Sequence, residues 1–351
     1  MRVLLVHNFY QEPGGEDQVF AEEFALLEKY SHTVRKFTVH NDAIKSMGKL
    51  EAARKTLWNP DTAKPLQEAI RAIDAQVVHF HNTFPLISPA AYYAAHEVGA
   101  AVVQTLHNYR VLCPSATFYR DGKVCEDCLG KMMPWPAVVH KCYRDNRLAT
   151  ATLAGMLTFH HLKGTWKNEV DVYIALTEFG KGKLIAGGLP AEKIEVKTNF
   201  VDPDPGPGNG EGGYAVVVGR LAEGKGILTL LEAWKTVHAK TGAIVKIIGD
   251  GPLRAEVEQA AKQGFGIEYV GRRASAEVYA MMGDARMLVF PARWYEGQPR
   301  TIVEALAKGT PVIAPRHGPM PDLVDDRRTG LLFEPGSAVD LADKTIALFS
   351  D

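Results

Sequence analysis

The stretch Asp202-Pro203-Asp204-Pro205-Gly206-Pro207-Gly208-Asn209-Gly210-Glu211-Gly212-Gly213, followed at once by Tyr214-Ala215-Val216-Val217-Val218, decides how the chain is organised. Its prolines remove backbone donors, its glycines raise the cost of ordering, and it offers nothing apolar to bury. It reads as a linker; a long surface loop inside one domain is the alternative. The linker is favoured because a strand–helix pattern runs up to it and restarts in the same style after it. This gives an N-terminal domain over 1–201 with an insertion at about 108–147, a linker over 202–213 and a C-terminal domain over 214–351.

On the N-terminal side, short apolar runs at 3–6, 33–39, 77–80, 101–105 and 171–175 are too brief for helices and rich in β-branched residues. Between them, helical periodicity marks 16–29, 61–73, 88–98 and 148–164; Val19, Phe20, Phe24, Leu26 and Leu27 are expected on one face of the first. The C-terminal side repeats the scheme, with strands at 214–218, 243–248, 267–270, 287–290, 311–314 and 331–333. Its helices are expected near 226–240, 253–263, 275–282, 301–308 and 338–349. Apolar strands alternating with amphipathic helices predict an α/β protein of two doubly wound parallel sheets. Ligands of such sheets bind at the carboxyl ends of the strands.

Composition excludes several function classes. The 351 residues carry 40 Lys+Arg against 41 Asp+Glu, a formal charge of −1 with no long basic run, so nucleic acid is not an expected partner. The longest mostly apolar stretch, Leu148 to Phe159, is about a dozen residues, short of the roughly 20 that a spanning helix needs. The opening Met1-Arg2-Val3-Leu4-Leu5-Val6-His7 lacks the apolar core and cleavage site of a signal peptide. Four cysteines in so long a chain make no disulfide scaffold. The expectation is a soluble cytoplasmic protein with at most peripheral contact at the inner membrane surface.

Residues suited to phosphate and hydroxyl chemistry follow the expected strands. Pro13-Gly14-Gly15-Glu16 leads into a helix whose first N–H groups suit an anion, although a tight strand–helix turn explains it equally well. Gly219-Arg220-Leu221-Ala222-Glu223-Gly224-Lys225-Gly226 follows the phosphate-loop pattern of nucleoside triphosphatases until Gly226 replaces the metal-binding Ser/Thr. What remains is Arg220 and Lys225 aimed from one strand end at an anion, which suits a diphosphate; the alternative, a solvated pair of charges at a helix start, is disfavoured by the helix dipole. Gly249-Asp250-Gly251-Pro252 and Gly271-Arg272 close two further strands; either can line a nucleotide pocket, although each alone is an ordinary β–α turn. Glu296 and Glu304 have seven residues between them, beginning with Gly297-Gln298-Pro299, and two carboxylates with open N–H groups can bind several hydroxyls of one polyol.

The run Trp294-Tyr295-Glu296-Gly297 to Glu304-Ala305-Leu306-Ala307-Lys308-Gly309-Thr310-Pro311 resembles the E-x7-E region of family 4 retaining glycosyltransferases. Gly14-Gly15, Gly219-Arg220-Leu221 with Lys225-Gly226, Gly249-Asp250-Gly251-Pro252 and Thr329-Gly330-Leu331-Leu332-Phe333 match in family order over nearly the whole chain. The resemblance implies the GT-B fold: two Rossmann-like domains with an interdomain cleft, donor mainly in the C-terminal one, acceptor mainly in the N-terminal one. It implies a sugar moved from a nucleotide-diphosphate donor to a hydroxyl of a carbohydrate, lipid-linked or small-molecule acceptor, with retention and no required cofactor or metal. Arg220 and Lys225 would hold the diphosphate, Glu296 with the backbone at Gly297, Gln298 and Pro299 the sugar, and Glu304 the ribose. Gly14 and Gly15 would let the backbone approach phosphates, and Gly219, Gly249, Gly251 and Arg272 would line the nucleotide. His107 matches the family's cleft histidine. Members finish with a helix that braces the N-terminal domain; with the sequence ending at Asp351, that brace is expected to be absent or different. Rival readings are a nucleotide-sugar epimerase or phosphorylase of the same fold and a non-catalytic sugar-nucleotide-binding protein.

Two features lie outside this scheme. His79-x-His81 puts two imidazoles on one face of a strand and invites a metal, but with no third ligand evident nearby a core or cleft-rim role is favoured. Cys113, Cys125, Cys128 and Cys142 fall in the insertion, with gaps of 11 and 13 residues around a C-x-x-C. A zinc site, disulfides and free thiols all stay open. In the same insertion, Met132, Met133 and Trp135 beside Lys131, Lys141, Arg144 and Arg147 suit either an acceptor-side loop or an anionic membrane surface, the loop being favoured.

Overall fold

A computed structural model of the chain describes residues 1–12 and 14–350; Pro13 of the expected anion-binding turn and Asp351 lie outside the described residues. The chain divides into two compact units, Met1–Phe118 with Glu126–Asn199, and Tyr119–Cys125 with Phe200–Asp351.

The first unit is built on β1 (Arg2–Phe9), β2 (Thr33–His40), β3 (Val77–Asn82) and β4 (Ala101–Thr105). The chain then forms a two-residue hairpin, β5 (Tyr119–Arg120) with β6 (Lys123–Val124), which belongs to the second unit, and returns for β7 (Val172–Ala175) and β8 (Ile194–Val196). Six strands pair in parallel in the order β2-β1-β3-β4-β7-β8. The order reverses between β1 and β3, so the loops leaving these two strands diverge and open a crevice at their carboxyl ends. Val3 to Val6 are all buried because helices cover both faces, which is why the strand reads as a continuous apolar run.

The second unit holds β9 (Tyr214–Val218), β10 (Ile244–Ile248), β11 (Ile267–Gly271), β12 (Met287–Val289), β13 (Val312–Pro315) and β14 (Gly330–Phe333). These pair in parallel as β11-β10-β9-β12-β13-β14, the strand order of dinucleotide-binding sheets, with reversal between β9 and β12. Alternation along β9 explains the two cores. Ala215 and Val217 pack with Leu230, Trp234 and Val237 of the helix Ile227–Thr241, and Tyr214 and Val216 with Met282, Ile302 and Ala305 on the other face.

All eleven expected strands are present. The expected linker is docked by its backbone: Gly208, Gly210 and Gly212 donate N–H bonds to Lys308, Gly283 and Asp284 carbonyls at 2.8, 3.0 and 2.8 Å. A run without apolar side chains is thus ordered by hydrogen bonds, and the unit boundary falls at Asn199/Phe200 rather than after residue 201.

Candidate functional site

Each sheet carries a cluster of polar residues at its reversal point. In the second unit, β9 runs into Gly219 and Arg220, turns through the short helix Glu223–Lys225 and enters the long helix at Ile227. Gly226 joins the two with φ +72, and a Cβ there would lie 1.9 Å from the Pro291 carbonyl oxygen. Only glycine lets this turn press so closely against the segment leaving β12. That contact brings Lys225 Nζ to 2.6 Å from Glu296 Oε1, and Trp294 Nε1 donates to the same oxygen at 2.5 Å. The lysine is not a solvated charge at a helix start; it is half-buried and held by a carboxylate.

Farther along, Pro299 precedes the helix Arg300–Ala307. Arg300 Nε and Nη2 donate to Glu304 Oε1 at 3.2 and 3.1 Å, an i, i+4 pair with both residues buried. Each carboxylate of the E-x7-E pair therefore has its own basic partner. Gln298 is buried and Gly297 half-buried in the loop ahead of this helix. Gly249 leaves β10 at φ +141 with a notional Cβ 1.9 Å from the Gly219 carbonyl oxygen, so the β9 and β10 loops touch backbone to backbone. Gly251 donates to its neighbour Asp250 at 2.8 Å, and the exposed Arg272 approaches the same carboxylate at 3.8 Å. Arg220 is exposed at the rim. In the hairpin, Arg293 Nη2 donates to Gly122 O at 2.5 Å and Tyr119 meets Trp294 edge-on at 6.3 Å.

In the first unit, β1, β3 and β4 are neighbours and each brings histidine to its carboxyl end: His7, His79 with His81, and His107 just beyond β4. The β1–β3 register shifts between Val6 and His7, Val6 facing Phe80 and His7 facing Asn82, so His81 is the extra residue. His81 Nδ1 lies 3.1 Å from His107 Nε2, with the rings stacked at 5.3 Å. His79 Nδ1 lies 3.0 Å from Glu23 Oε1, and its Nε2 is 2.8 Å from Thr105 Oγ1. Glu23 comes from the helix Gly15–Lys29 and also takes Lys197 Nζ at 2.7 Å. Burial alone would raise the Glu23 carboxyl, but His79 and Lys197 outweigh it and hold it at about 2. Burial, then the neighbouring His79 and His107, push His81 well below the ordinary histidine range. Burial and His7 push His107 down to about 3.

At the start of that helix, Gly14 caps with φ −129, in ordinary extended conformation, and Asp17 accepts its N–H at 2.8 Å. Asp17 also meets His7 Nε2 at 2.7 Å. Neither Gly14 nor Gly15 has positive φ, so the turn does not need glycine for its backbone, and nothing lies within 4 Å of a notional Gly14 Cβ. Glu16, beside Asn108, is raised to about 8 by burial and the adjacent Asp17. A cavity of about 50 Å³ in this unit is lined by Phe84, Tyr92, Leu106, His107, Asn108 and Arg110, among others.

Two family models match the chain: "Glycosyltransferase Family 4" over residues 48–205 and "Glycosyl transferases group 1" over residues 212–351. The chain belongs to the group 1, family 4 glycosyltransferases. It is similar to the putative colanic acid biosynthesis glycosyltransferase WcaL of Escherichia coli K12, 31% identical over 195 residues, covering 51% of this chain and 48% of that protein. The amylovoran biosynthesis glycosyltransferase AmsK of Erwinia amylovora is 28% identical over 186 residues, 49% of this chain and 46% of that one. The chain spans about half the length of the curated relatives it matches. Among solved structures, Anabaena HepE in complex with UDP and glucose shares the fold with TM-score 0.66 at 19% identity, covering 99% of this chain and 90% of that one. Sucrose-phosphate synthase of Thermosynechococcus elongatus shares it with TM-score 0.68 at 15% identity, covering 100% and 90%. The fold is GT-B, with two parallel-sheet α/β units.

For this glycosyltransferase the fold brings together Lys225 with Glu296, and His107 with residues that sequence reasoning did not single out: His7, Glu23 and Lys197. The His79-x-His81 pair is buried, as favoured, but the reading that no carboxylate or third imidazole stands nearby is corrected. Strand adjacency supplies His7 and His107, and the helix Gly15–Lys29 supplies Glu23. Their only signal in sequence is a histidine at the end of each of three strands. Trp294 and Arg300 lie within the same stretch as the recognised glutamates, but the sequence assigns neither of them a role. Cys113 and Cys128 are buried and Cys125 and Cys142 half-buried. Among the described residues, no helix is long and apolar enough to cross a membrane.

Proposed function

We propose that the chain is a retaining glycosyltransferase that moves a sugar from a nucleotide-diphosphate donor to an acceptor hydroxyl in cell-surface polysaccharide or glycoconjugate synthesis. The observation that carries this reading is the Lys225–Glu296 pair at the β9/β12 reversal of a dinucleotide-type sheet. A cation and a carboxylate at neighbouring strand ends suit a ligand that is anionic at one part and rich in hydroxyls at another. Arg220 and Lys225 take the diphosphate and stabilise the charge that grows on it as the C1–O bond breaks. Glu296 and the loop Gly297–Pro299 take hydroxyls of the transferred sugar, and Glu304, oriented by Arg300, takes the ribose. Gly219, Gly249, Gly251 and Arg272 border the nucleotide. The acceptor oxygen attacks from the face the diphosphate leaves and passes its proton to the departing phosphate oxygen, so the anomeric configuration is kept. With two side-chain cations on the leaving group, no metal is assigned a step.

In the first unit, the open space at Gly14 suits backbone approach by an anion at the helix start, with Gly15 as its first residue. His107, on the wall of the cavity, is the cleft histidine that stands near the transferred sugar. The names of WcaL and AmsK, tied to colanic acid and amylovoran, support a polysaccharide pathway, and HepE crystallised with UDP and glucose supports a nucleotide-sugar donor. A cytoplasmic setting with at most peripheral membrane contact belongs to the same reading.

Thermal-shift measurements with UDP-, GDP-, ADP- and dTDP-sugars test it. One nucleotide class is expected to raise Tm, by about 2.7 kcal/mol of stabilisation at 100 times Kd. Epimer or phosphate-dependent cleavage from the donor alone would favour the epimerase or phosphorylase reading. Binding with no transfer to any acceptor would favour a non-catalytic binding protein.

A further inference from the structure

The buried network beneath His107 contains more chemistry than packing requires. His81 Nε2 is buried with no hydrogen-bond partner, 3.9 Å from Glu23 Oε2, while its Nδ1 meets His107 Nε2. Glu23, His79 and His81 are 6%, 5% and 2% exposed, and their ligand-type atoms lie within 4.8 Å of one another. A metal is the first thought. Against it, Glu23 already takes His79 on one oxygen and Lys197 on the other, at 3.0 and 2.7 Å. A dication would have to displace both, or be buried beside the lysine with one carboxylate to balance it.

A proton arrangement accounts for the same atoms without that cost. Neutral His81 has one N–H to place. On Nδ1 it would donate to His107, leaving the Nε2 lone pair facing the Glu23 carboxylate, two acceptors opposed in a buried site. On Nε2 the N–H stands 3.9 Å from the Glu23 carboxylate, too far for a hydrogen bond but near enough for the negative charge to favour it, and Nδ1 becomes an acceptor. His107 must then donate from Nε2, which leaves its own Nδ1 as the lone-pair nitrogen. The groups facing His81 are His7, His79, His107, Glu23 and, through Glu23, Lys197.

We propose that Glu23, acting through His81, is a positioning residue that fixes His107 as the Nε2–H tautomer, so that its Nδ1 accepts a hydrogen bond from a substrate hydroxyl. The catalytic part rests on the function proposed above; the tautomer does not. Three side chains from one helix and two neighbouring strands thus set one nitrogen, as second partners do for catalytic and metal-bound histidines.

Nitrogen-15 NMR of histidine-labelled full-length protein at neutral pH reads the tautomer without any assay of activity. The account expects His107 with Nε2 protonated and Nδ1 of the unprotonated type, and His81 likewise protonated at Nε2. In Glu23→Gln both tautomers are expected to shift or mix, and kcat to fall about 10-fold to 100-fold with donor KM nearly unchanged. His81→Asn, whose carbonyl can replace the Nδ1 acceptor, is expected to keep the His107 tautomer and most of kcat; His81→Leu is not. Should Glu23→Gln fail to fold, the wild-type spectrum and the His81 pair still decide. Protonated Nδ1 on wild-type His107, or a tautomer unmoved in folded Glu23→Gln, overturns the proposal. So does stoichiometric binding of added Zn²⁺ that shifts His79 and His81 Nε2, since that nitrogen would then be a ligand. Unchanged turnover in His107→Ala with the expected tautomer would sink the catalytic role alone.

Discussion

The two reversal points solve the burial of charge differently. At β1/β3 the carboxylate of Glu23 is enclosed, and His79 and Lys197 hold it ionised beside His81 and His107, which burial keeps neutral. At β9/β12 the half-buried Lys225 and Glu296 meet directly at 2.6 Å, with side chains 24% and 16% exposed. The enclosed cluster is a part of the fold, and removing a member leaves another charge stranded. The half-open pair can exchange its internal partner for a ligand, since water already reaches it. Stability is therefore expected to depend on the first cluster and activity most directly on the second.

Glu23→Ala should have the largest effect. Breaking a buried pair costs about 3–5 kcal/mol, and the partial exposure of Lys197 keeps this at about 3. Chemical denaturation should show that loss in the transition of the first unit; a change below about 1 would remove the distinction between the clusters. Lys225→Ala should instead reduce transfer about 100-fold, equivalent to about 2.7 kcal/mol in the barrier, with little change in stability. Transfer assays beside denaturation curves on one preparation check both halves of that statement.

Acidification should separate the units next. His107 is held at about 3 and His81 is also depressed, so the unfolded chain binds more protons below the ordinary value of 6.5. Their stabilising effect is full above pH 6.5 and is lost as pH falls towards 3; the share of Glu23 is lost between 4.5 and about 2. Glu16 opposes them, since its raised value favours the folded state below 4.5 and that contribution disappears as pH rises through about 8. The first unit should therefore soften on acidification from pH 6.5, as hydrogen exchange resolved by unit would show.

Glycine substitutions sharpen the contrast with smaller effects. Gly226→Ala should destabilise by about 2 kcal/mol, through positive φ and the collision with Pro291 O. Gly14→Ala meets no protein atom and should cost about 1 kcal/mol or less, from the weaker cap. It should nevertheless weaken anion binding if the open space is for a ligand, which titration with nucleoside diphosphates would reveal.

Much of the fold is legible in sequence because both sheets are covered on two faces, so strands such as Tyr214–Val218 stand out as apolar runs. Segments whose order comes from contacts are not. The helix Lys49–Leu57 is charged and short, and the hairpin Tyr119–Val124 has two residues per strand. In the C-terminal site, spacing exposes Arg220, Lys225, Glu296 and Glu304 because they lie in recognisable glycine-rich contexts. The histidine cluster escapes because its members, His7, Glu23, His79, His107 and Lys197, span nearly two hundred positions. Strand order makes neighbours of the histidines, and the helix Gly15–Lys29 and the residue just after β8 bring Glu23 and Lys197 to them.

The central claim is that Lys225 and Glu296 handle a nucleotide-diphosphate sugar. Release of nucleoside diphosphate from the best donor of the four-member panel, in wild type and in folded Lys225→Ala and Glu296→Gln, tests it most directly. The account predicts release by the wild type and a fall of about 100-fold in each variant. Release at wild-type rate in both variants would contradict it.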